Sequence, residues 1–235
     1  WINYGFIILP GIIKSQLIDD YLELREKLRS KGVDLTGSSF VDYREIRELF
    51  CNPELTHHLG LLAGEEISLY IVFAHNLLST ERPWHQDQYL IGDSIYGSSV
   101  SAWISLGDVT EEQGPFQFIP GSHRFGILDY SKSSQYLSPE FRIGGEKGAM
   151  WSSYTHLITS VAYSRLLNDS KLETYSFTPS KGDVLISHPR LIHRAARPIG
   201  KAPRPGIIGQ WTTLVSGIVD GKTNKDSKDH GLYWN

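Results

Sequence analysis

The chain has one cysteine, Cys51, and one methionine among its 235 residues. A single cysteine excludes an internal disulfide and a zinc cage of several thiolates, and it is typical of a reducing compartment. Charged residues make up 21% of the sequence and leave a formal net charge of −3 at pH 7. This balance gives no reason to expect nucleic acid or an anionic membrane as a partner.

Long hydrophobic runs are also missing, since no apolar stretch approaches the roughly 18–20 residues of a membrane span. The chain opens on Trp1 without a methionine or a signal peptide, which leaves the true N-terminus open. We expect a cytoplasmic protein that acts on a small molecule, with no membrane partner. Its oligomeric state is not indicated by the sequence.

The first quarter of the chain has a helical pattern. Ser15 is a candidate N-cap for a helix that ends near Gly32, and a second helical stretch covers about 43–50. Asn52-Pro53 and Gly64 have the pattern of the start and end of a third helix. An apolar stripe at helical spacing supports the first helix, formed by Leu17, Ile18, Tyr21, Leu22 and Leu28.

Six short runs rich in β-branched and aromatic residues follow, separated by turns. Helices first and strands afterwards predict helices packed outside a β-sandwich or barrel. We expect one domain over 1–235, with a helical part over about 1–65 and a β core over about 66–215. The predicted strands are Ile67–Ala74, Ser99–Leu106, Phe116–Ile119, Glu173–Phe177, Asp183–Ser187 and Gly206–Leu214.

The stretch 125–172 is the least regular part of the sequence. The simpler interpretation of its apolar residues is a helix that faces the core, and the alternative is a lid over a binding site. The residues at helical spacing are Trp151, Tyr154, Leu157, Ile158, Val161, Ala162 and Leu166.

A histidine and an aspartate stand two residues apart in Pro83-Trp84-His85-Gln86-Asp87. On an extended strand such residues point to one face at a separation of roughly 6–7 Å, so both can bind one metal ion. A second histidine would complete the set of two histidines and one carboxylate that holds non-haem Fe(II). A histidine and an aspartate two residues apart also occur often by chance. The alternative interpretation is that the two side chains form a hydrogen-bonded pair on the surface.

Two candidates for the second histidine, His188 and His193, stand near the far end of the chain. A symmetric hairpin that turns at 198–200 would place His193 opposite Arg204, about 5 Å away at Cβ. An arginine there suits the far carboxylate of a short dicarboxylic acid that chelates the metal. Because prolines flank Arg204, its strand is expected to be irregular or at a sheet edge.

Three blocks of sequence occur in order: Trp84–Asp87; then 100–106, 108–115 and 119–124; then Gly182–Leu185 followed by His193 and Arg204. Together they resemble the phytanoyl-CoA dioxygenase family of Fe(II)/2-oxoglutarate oxygenases over about residues 55–212. The resemblance implies a mainly β fold, the cupin-like double-stranded β-helix or jelly-roll, with flanking N-terminal helices. It also implies Fe(II), 2-oxoglutarate and O2 as cofactor and cosubstrates.

The same resemblance assigns roles to single residues. His85, Asp87 and His193 would ligate the catalytic iron, Arg204 would bind the C5 carboxylate of 2-oxoglutarate, and Trp103 would line the cosubstrate pocket. The excursion between 124 and 182 is long for the family, which is expected to reshape substrate access. Ala195 replaces a hydroxyl residue often found two positions after the distal histidine, which is expected to remove one hydrogen bond to the cosubstrate.

Other residues receive weaker predictions. His188 is expected to be a packing or hydrogen-bonded histidine, and His123 part of a turn. Arg194 and Arg197 are the alternatives to Arg204 if the turn is displaced. Candidate substrate contacts are Gln88 and Tyr89, which follow the metal motif, and Trp151.

We expect oxidation of an unactivated C–H bond of a small molecule in specialised metabolism, by hydroxylation, oxidative cyclisation or desaturation. Asp87 argues against a halogenase, because such relatives give up that carboxylate. A non-catalytic metal-binding jelly-roll and a zinc hydrolase are the alternatives. Arg204 would be useless to a purely structural metal, and no obvious general base supports the hydrolase. The sequence does not name the substrate.

Overall fold

The computed structural model describes residues 1–64, 67–73, 81–87, 99–125, 161–168 and 172–213. Three α-helices in this part of the chain are α1 (Ser15–Ser30), α2 (Arg44–Phe50) and α3 (Pro53–Ala63). Residues 161–168 are also helical. The strands are β1 (Phe6–Leu9), β2 (Ile67–Phe73), β3 (Arg82–His85), β4 (Ser99–Ser105), β5 (Phe116–Phe118), β6 (Tyr175–Phe177), β7 (Val184–Ser187), β8 (His193–Ala195) and β9 (Gly206–Thr213).

The strands form two antiparallel sheets. The five-stranded sheet has the order β1-β7-β4-β9-β2, and the four-stranded sheet has the order β3-β8-β5-β6. From β2 to β5 and again from β6 to β9, consecutive strands lie in alternate sheets, as in a jelly-roll. The predicted fold class, mainly β with flanking N-terminal helices, is confirmed.

The six strands predicted from the sequence are present, each within two residues of the expected bounds. β1, which lies in the part expected to be helical and pairs with β7, was not predicted from the sequence. β3 and β8, which contain His85 and His193, were not delimited as separate strands either. All three are only three or four residues long, which is too short for an alternation pattern to stand out.

The helix boundaries follow the chemistry of the caps. The side chain of Asn52 accepts hydrogen bonds from the backbone N–H groups of Glu54 and Leu55, at 3.0 and 3.3 Å, and Gly64 ends α3 in the left-handed conformation with φ 74°. The prediction for Ser15 was wrong by one residue. Lys14 is the N-cap of α1, without a side-chain hydrogen bond, and Ser15 is the first helical residue.

The five-stranded sheet has two different faces. Val100, Ala102 and Ile104 of β4 belong to a buried cluster that includes residues of all three α-helices. Trp103, the residue between them, packs instead with Phe177 of the four-stranded sheet, at 5.6 Å between ring centroids. One face is therefore covered by the helices, and the other faces the interior between the sheets.

The helical prediction for the irregular stretch is confirmed for residues 161–168, but its buried side differs from the expectation. Val161 and Leu166 are 50% and 41% exposed, whereas Tyr163 is 2% exposed. Tyr163 packs with Trp84 and Ile192 on the outer side of the four-stranded sheet. Ala162 of the predicted stripe is partly buried. The lid interpretation and the other residues of the stripe, Trp151, Tyr154, Leu157 and Ile158, lie outside the described residues.

The predicted hairpin around residues 198–200 was wrong. β8 belongs to the four-stranded sheet and β9 to the five-stranded sheet, so His193 and Arg204 are not cross-strand partners. The segment between these strands pairs with a loop instead. The N–H groups of Ala196 and Ile199 donate to the carbonyl oxygens of Pro115 and Glu112, at 3.0 and 2.9 Å.

None of the helices in the described part of the chain combines the length and the apolarity that a bilayer crossing requires.

Candidate active site

Two strands of the four-stranded sheet bring the predicted metal ligands together. His85 is the last residue of β3, His193 is the first residue of β8, and the two are register partners. Their ring centroids are 4.2 Å apart. Asp87 lies just beyond β3, and one candidate ligand atom from each residue lies within 4.8 Å of the others.

Backbone carbonyl groups fix the orientation of both histidine rings. Nδ1 of His85 lies 2.8 Å from the carbonyl oxygen of Pro83, and Nδ1 of His193 lies 2.8 Å from that of Leu191. A carbonyl oxygen only accepts, so each Nδ1 carries the proton and each Nε2 keeps its lone pair. These Nε2 atoms lie 3.6 and 3.5 Å from Oδ1 of Asp87.

The ionisation states also suit metal binding. Burial, followed by the neighbouring His85, lowers the pKa of His193 to about 4. Burial of the Asp87 carboxyl opposes its ionisation, but the interactions with His193, His85 and Arg82 outweigh burial and lower the pKa of Asp87 to about 2. At neutral pH the site therefore offers a neutral His193 and a carboxylate, the forms in which these side chains bind metals.

The donor set decides which metals fit. Two imidazole nitrogens and one carboxylate oxygen, with no thiolate, form the facial set found in non-haem Fe(II) oxygenases. The three ligand atoms lie within 4.8 Å of one another without any change of tautomer, so the residues present fit a divalent iron ion.

Gln86 anchors the metal motif to its surroundings. Its side chain is fully buried and donates from Nε2 to the carbonyl oxygen of Arg190 at 2.7 Å. The backbone N–H of Asp87 donates to the carbonyl oxygen of Pro189 at 3.2 Å. These two hydrogen bonds connect the segment that contains His85 and Asp87 to residues 189–190, which lead directly into β8 and His193.

Tyr163 completes this anchor. Its hydroxyl donates to Oε1 of Gln86 at 2.6 Å, and both side chains are buried. Tyr163 was not predicted from the sequence, because a contact across 77 residues leaves no local signal. For Gln86, the available signal was the alternation of side-chain directions along an extended segment. When His85 and Asp87 face inward, the residue between them must face outward.

Arg204 lies two residues before β9 and is partly buried. Its guanidinium donates to the carbonyl oxygen of Gly114. Two residues after Gly114, the ring of Phe116 stacks on His193, with centroids 4.9 Å apart. Burial lowers the pKa of Arg204, but an arginine stays charged, and its remaining N–H groups can bind a carboxylate.

Trp103 lies beside the start of β9. It is 6% exposed and faces the interior between the sheets. A Cβ atom at Gly206 would overlap the indole ring of Trp103, so the close approach requires a glycine there. This arrangement puts the indole and Arg204 at the same end of β9.

The alternatives to Arg204 point elsewhere. Arg194 donates from Nε to Gln117 at 2.7 Å and lies 4.7 Å from the Trp84 ring centroid, on the outer face of its sheet. Arg197 is exposed. Because strand alternation turns Arg194 away from His193, it cannot share a ligand with the cluster.

Two other histidines, His188 and His123, have structural surroundings. His188 accepts at Nδ1 from the backbone N–H of Arg190 at 3.0 Å, and its ring lies 5.1 Å from that of His123. His123 is in a short 3-10 turn, Ser122–Arg124. These positions agree with the expectations for a hydrogen-bonded histidine and a turn residue. The predicted substrate contacts Gln88, Tyr89 and Trp151 lie outside the described residues.

Gln210 of β9, a buried residue on the inner face of the five-stranded sheet, was also not predicted from the sequence. The available signal was the alternation Ser99, Ser101, Trp103, Ser105 on β4. Serines on the inward side of a buried strand are unusual in an apolar core, and they indicate a polar cavity wall.

Known structures share this architecture at low sequence identity. The epimerase SnoN, solved with Fe3+, alpha ketoglutarate and nogalamycin RO, aligns with a TM-score of 0.67 and 17% identity over 99% of this chain and 92% of its own. The non-heme alpha ketoglutarate dependent carbocyclase SnoK from nogalamycin biosynthesis gives 0.62 and 17% over 99% and 90%. EctD from S. alaskensis with bound Fe gives 0.65 and 16% over 91% and 74%. These likenesses establish the fold.

The family follows from the sequence match. The sequence profile described as phytanoyl-CoA dioxygenase (PhyH) matches residues 3–206, most of the chain. The match includes all three converging ligand residues as well as Trp103 and Arg204. The chain therefore belongs to the phytanoyl-CoA dioxygenase family and is a non-haem iron oxygenase that depends on 2-oxoglutarate.

Proposed function

We propose that His85, Asp87 and His193 bind Fe(II) and that Arg204 binds the C5 carboxylate of 2-oxoglutarate. The observation that carries this proposal is the convergence of two Nε2 lone pairs and one carboxylate oxygen within 4.8 Å. Three protein ligands leave coordination positions for 2-oxoglutarate and O2. Bound iron with these cosubstrates supplies the oxidation of a C–H bond, coupled to decarboxylation of 2-oxoglutarate.

The contacts of Arg204 support its role. The carbonyl of Gly114 holds one N–H group of the guanidinium, which restricts the side chain without using its other donors. Because Phe116 links the Gly114 loop to His193 by ring stacking at 4.9 Å, the guanidinium is tied to the metal site. We propose that the Trp103 indole forms an apolar wall along the cosubstrate between these two points.

The substrate is proposed to be a small molecule of specialised metabolism. The support comes from relatives of the same fold, whose names describe an epimerase and a carbocyclase of nogalamycin biosynthesis. Because those two carry out different reactions, the fold does not choose among hydroxylation, cyclisation and desaturation. Gln88, Tyr89 and Trp151 remain predicted substrate contacts. The single-domain organisation and a cytoplasmic location also remain predictions.

A structural metal and a zinc hydrolase are the competing functions. Neither explains a partly buried Arg204 two residues before Gly206, where the Trp103 indole packs. Metal analysis together with succinate formation from 2-oxoglutarate separates all three. Iron with succinate supports the oxygenase. Metal without succinate supports the structural role, and zinc with hydrolysis of an ester or amide supports the hydrolase.

Calorimetric titration of 2-oxoglutarate into the Ni(II)-loaded protein tests the Arg204 proposal, because nickel fills the site without turnover. Loss of one partner of a buried charge pair costs about 2 kcal/mol or more, so Arg204→Ala should weaken binding by roughly 30-fold or more. Arg197→Ala is the matched control, since Arg197 is exposed, and should bind like wild type. Equal affinity of Arg204→Ala and wild type would contradict the assignment.

A further inference from the structure

Three buried polar residues lie side by side across the middle of the five-stranded sheet. Ser187 of β7 is the register partner of Ser101 of β4, and Ser101 is the partner of Gln210 of β9. Their exposed fractions are 8%, 4% and 4%. We call these three residues the polar row. The next position along the same strands adds Ser99 and Thr212, which are both 5% exposed.

The polar row faces the interior between the sheets. On β9, Trp211 packs on Phe50 of α2, with ring centroids 5.8 Å apart, so Gln210 must point to the opposite face. On β4 the residues on either side of Ser101 belong to the cluster packed on the helices. Ser101 therefore points inward with Trp103, two residues further along the strand.

Contacts between the two sheets show that the polar row lies opposite the metal ligands, at the same height along the strands. Phe6, the partner of Ser187, packs on Phe118 at 4.4 Å between ring centroids. Phe118 in turn is the register partner of His193. The strand positions that carry the polar row thus oppose those that carry His193 and His85. The layer towards Arg204, by contrast, contains Trp103 and Leu185 and is apolar.

Gln210 has an acceptor without a partner in the described part of the chain. Its Nε2 donates to Oγ of Ser101 at 3.3 Å, but its Oε1 is buried and accepts no hydrogen bond from any residue that the structure describes. A buried polar atom is normally satisfied, and an exception indicates a ligand or a bound water. Gln117 of β5 shows the usual case, since its amide bonds both Ser176 and Arg194, at 2.8 and 2.7 Å.

We propose that the polar row is a substrate-recognition wall and that Oε1 of Gln210 accepts a hydrogen bond from an uncharged hydroxyl or N–H group of the substrate. This proposal rests on the proposed oxygenase function, since it places the substrate between the polar row and the metal. The row contains one amide and two hydroxyl groups and no charged side chain, so the group it binds is polar but uncharged. A charged group would lack a counter-ion there.

Crystals of the complex with Ni(II) and 2-oxoglutarate, soaked separately in isopropanol and in acetone, test this proposal. The two probes have nearly the same shape, but only isopropanol donates a hydrogen bond. We expect the isopropanol oxygen about 3 Å from Oε1 of Gln210, with no acetone at that position. The proposal fails if isopropanol is absent there, if an ordered water persists, or if acetone binds a reversed amide.

The same crystals test the proposed function and the recognition wall separately. Absence of nickel from His85, Asp87 and His193, or of 2-oxoglutarate from Arg204, contradicts the proposed function. Density for both, with no isopropanol at Gln210, contradicts only the recognition wall.

Thermal unfolding of Gln210→Met and Gln117→Met provides a second test. Met is similar in length to Gln and removes both polar atoms. If Gln210 serves a ligand rather than the fold, Gln210→Met should melt within about 2 °C of wild type or above it. Gln117→Met loses two satisfied hydrogen bonds and should melt lower. A fall for Gln210→Met as large as that for Gln117→Met would show a structural role and overturn the proposal.

Discussion

The hydroxyl of Tyr163 donates a hydrogen bond of 2.6 Å to Oε1 of Gln86, the residue between two predicted metal ligands. The other end of the Gln86 amide donates to the carbonyl oxygen of Arg190 at 2.7 Å. The helix over residues 161–168 is thereby connected to the segment that leads into His193. Tyr163 does not face the metal, so it acts as a positioning residue through Gln86.

Tyr163→Phe should weaken metal binding. The substitution removes one donor from a buried amide oxygen, which costs about 1–3 kcal/mol of stability. Loss of a group that hydrogen-bonds a ligand directly typically weakens metal binding about 10-fold or more, and because Tyr163 acts through Gln86 we expect a smaller loss. Titration with Co(II), followed by its visible absorption, measures the affinity without turnover. Tyr175→Phe is the control, because Tyr175 is 43% exposed. Unchanged Co(II) affinity in Tyr163→Phe would show that Gln86 is held by its other contacts alone.

Metal binding should stabilise the folded protein through Asp87. A ligand at 100 times its dissociation constant adds about 2.7 kcal/mol to the free energy of unfolding when it binds only the folded state. Urea unfolding of wild type with and without Co(II) measures this difference. Asp87→Ala removes the one carboxylate of the cluster, so the difference should largely disappear. A full Co(II) effect in Asp87→Ala would place the stabilising metal elsewhere.

Gly206→Ala should disturb the Trp103 end of the site. A Cβ at residue 206 would overlap the indole, and overpacking of this kind typically costs about 1–3 kcal/mol. We expect a lower melting temperature together with weaker 2-oxoglutarate binding by the Ni(II)-loaded protein. Gly200→Ala is the matched control, since a Cβ at Gly200 meets only a backbone nitrogen of Ala202 at 3.9 Å. Equal melting temperatures for the two variants would contradict the close packing of Trp103 on β9.

The stability of the metal-free protein should fall as the pH is lowered from about 6.5 to about 4. Burial, followed by His123 and Arg190, lowers the pKa of His188 to about 4 from the ordinary 6.5. Between these values the unfolded chain binds a proton that folded His188 does not, so lowering the pH favours unfolding. Above pH 6.5 both states are neutral at this residue and the contribution is constant. His193 acts in the same direction in the absence of metal.

His188→Asn separates this contribution from the others. The Asn side-chain oxygen can accept from the N–H of Arg190, as Nδ1 of His188 does at 3.0 Å, but it does not titrate. Denaturant unfolding at several pH values should give a shallower pH dependence for the variant. Parallel stability curves for the variant and wild type would mean that His188 is protonated alike in both states.

Local patterns were enough to predict much of this fold. The cap residues Asn52 and Gly64 act on their own helix, and the β-branched and aromatic residues that indicate strands such as β4 are local in sequence, so the sequence contains both signals. The histidine and aspartate of the metal motif are similarly close in sequence. The third ligand was found because the family blocks extend to His193, not because of its local pattern.

Long-range contacts explain what the sequence did not predict. The prediction of a symmetric turn at 198–200 assumed that the segments on either side of the turn pair with each other. The loop at 112–115 instead forms hydrogen bonds with the backbone groups of these segments. Gln113 donates to the carbonyl oxygen of Pro203 at 2.5 Å, and Ile199 donates to Glu112 at 2.9 Å. These contacts hold the segment that crosses from β8 in the four-stranded sheet to β9 in the five-stranded sheet. Tyr163 was missed for the same reason, because only the folded chain brings it to Gln86.

The central claim is that the converging residues hold Fe(II) together with 2-oxoglutarate. The most direct measurement is the visible spectrum of the metal-free protein after anaerobic addition of Fe(II), with and without 2-oxoglutarate. We predict a weak charge-transfer band that requires both additions and is lost in His193→Ala. Stoichiometric iron binding without such a band, or a band that persists in His193→Ala, would contradict the claim.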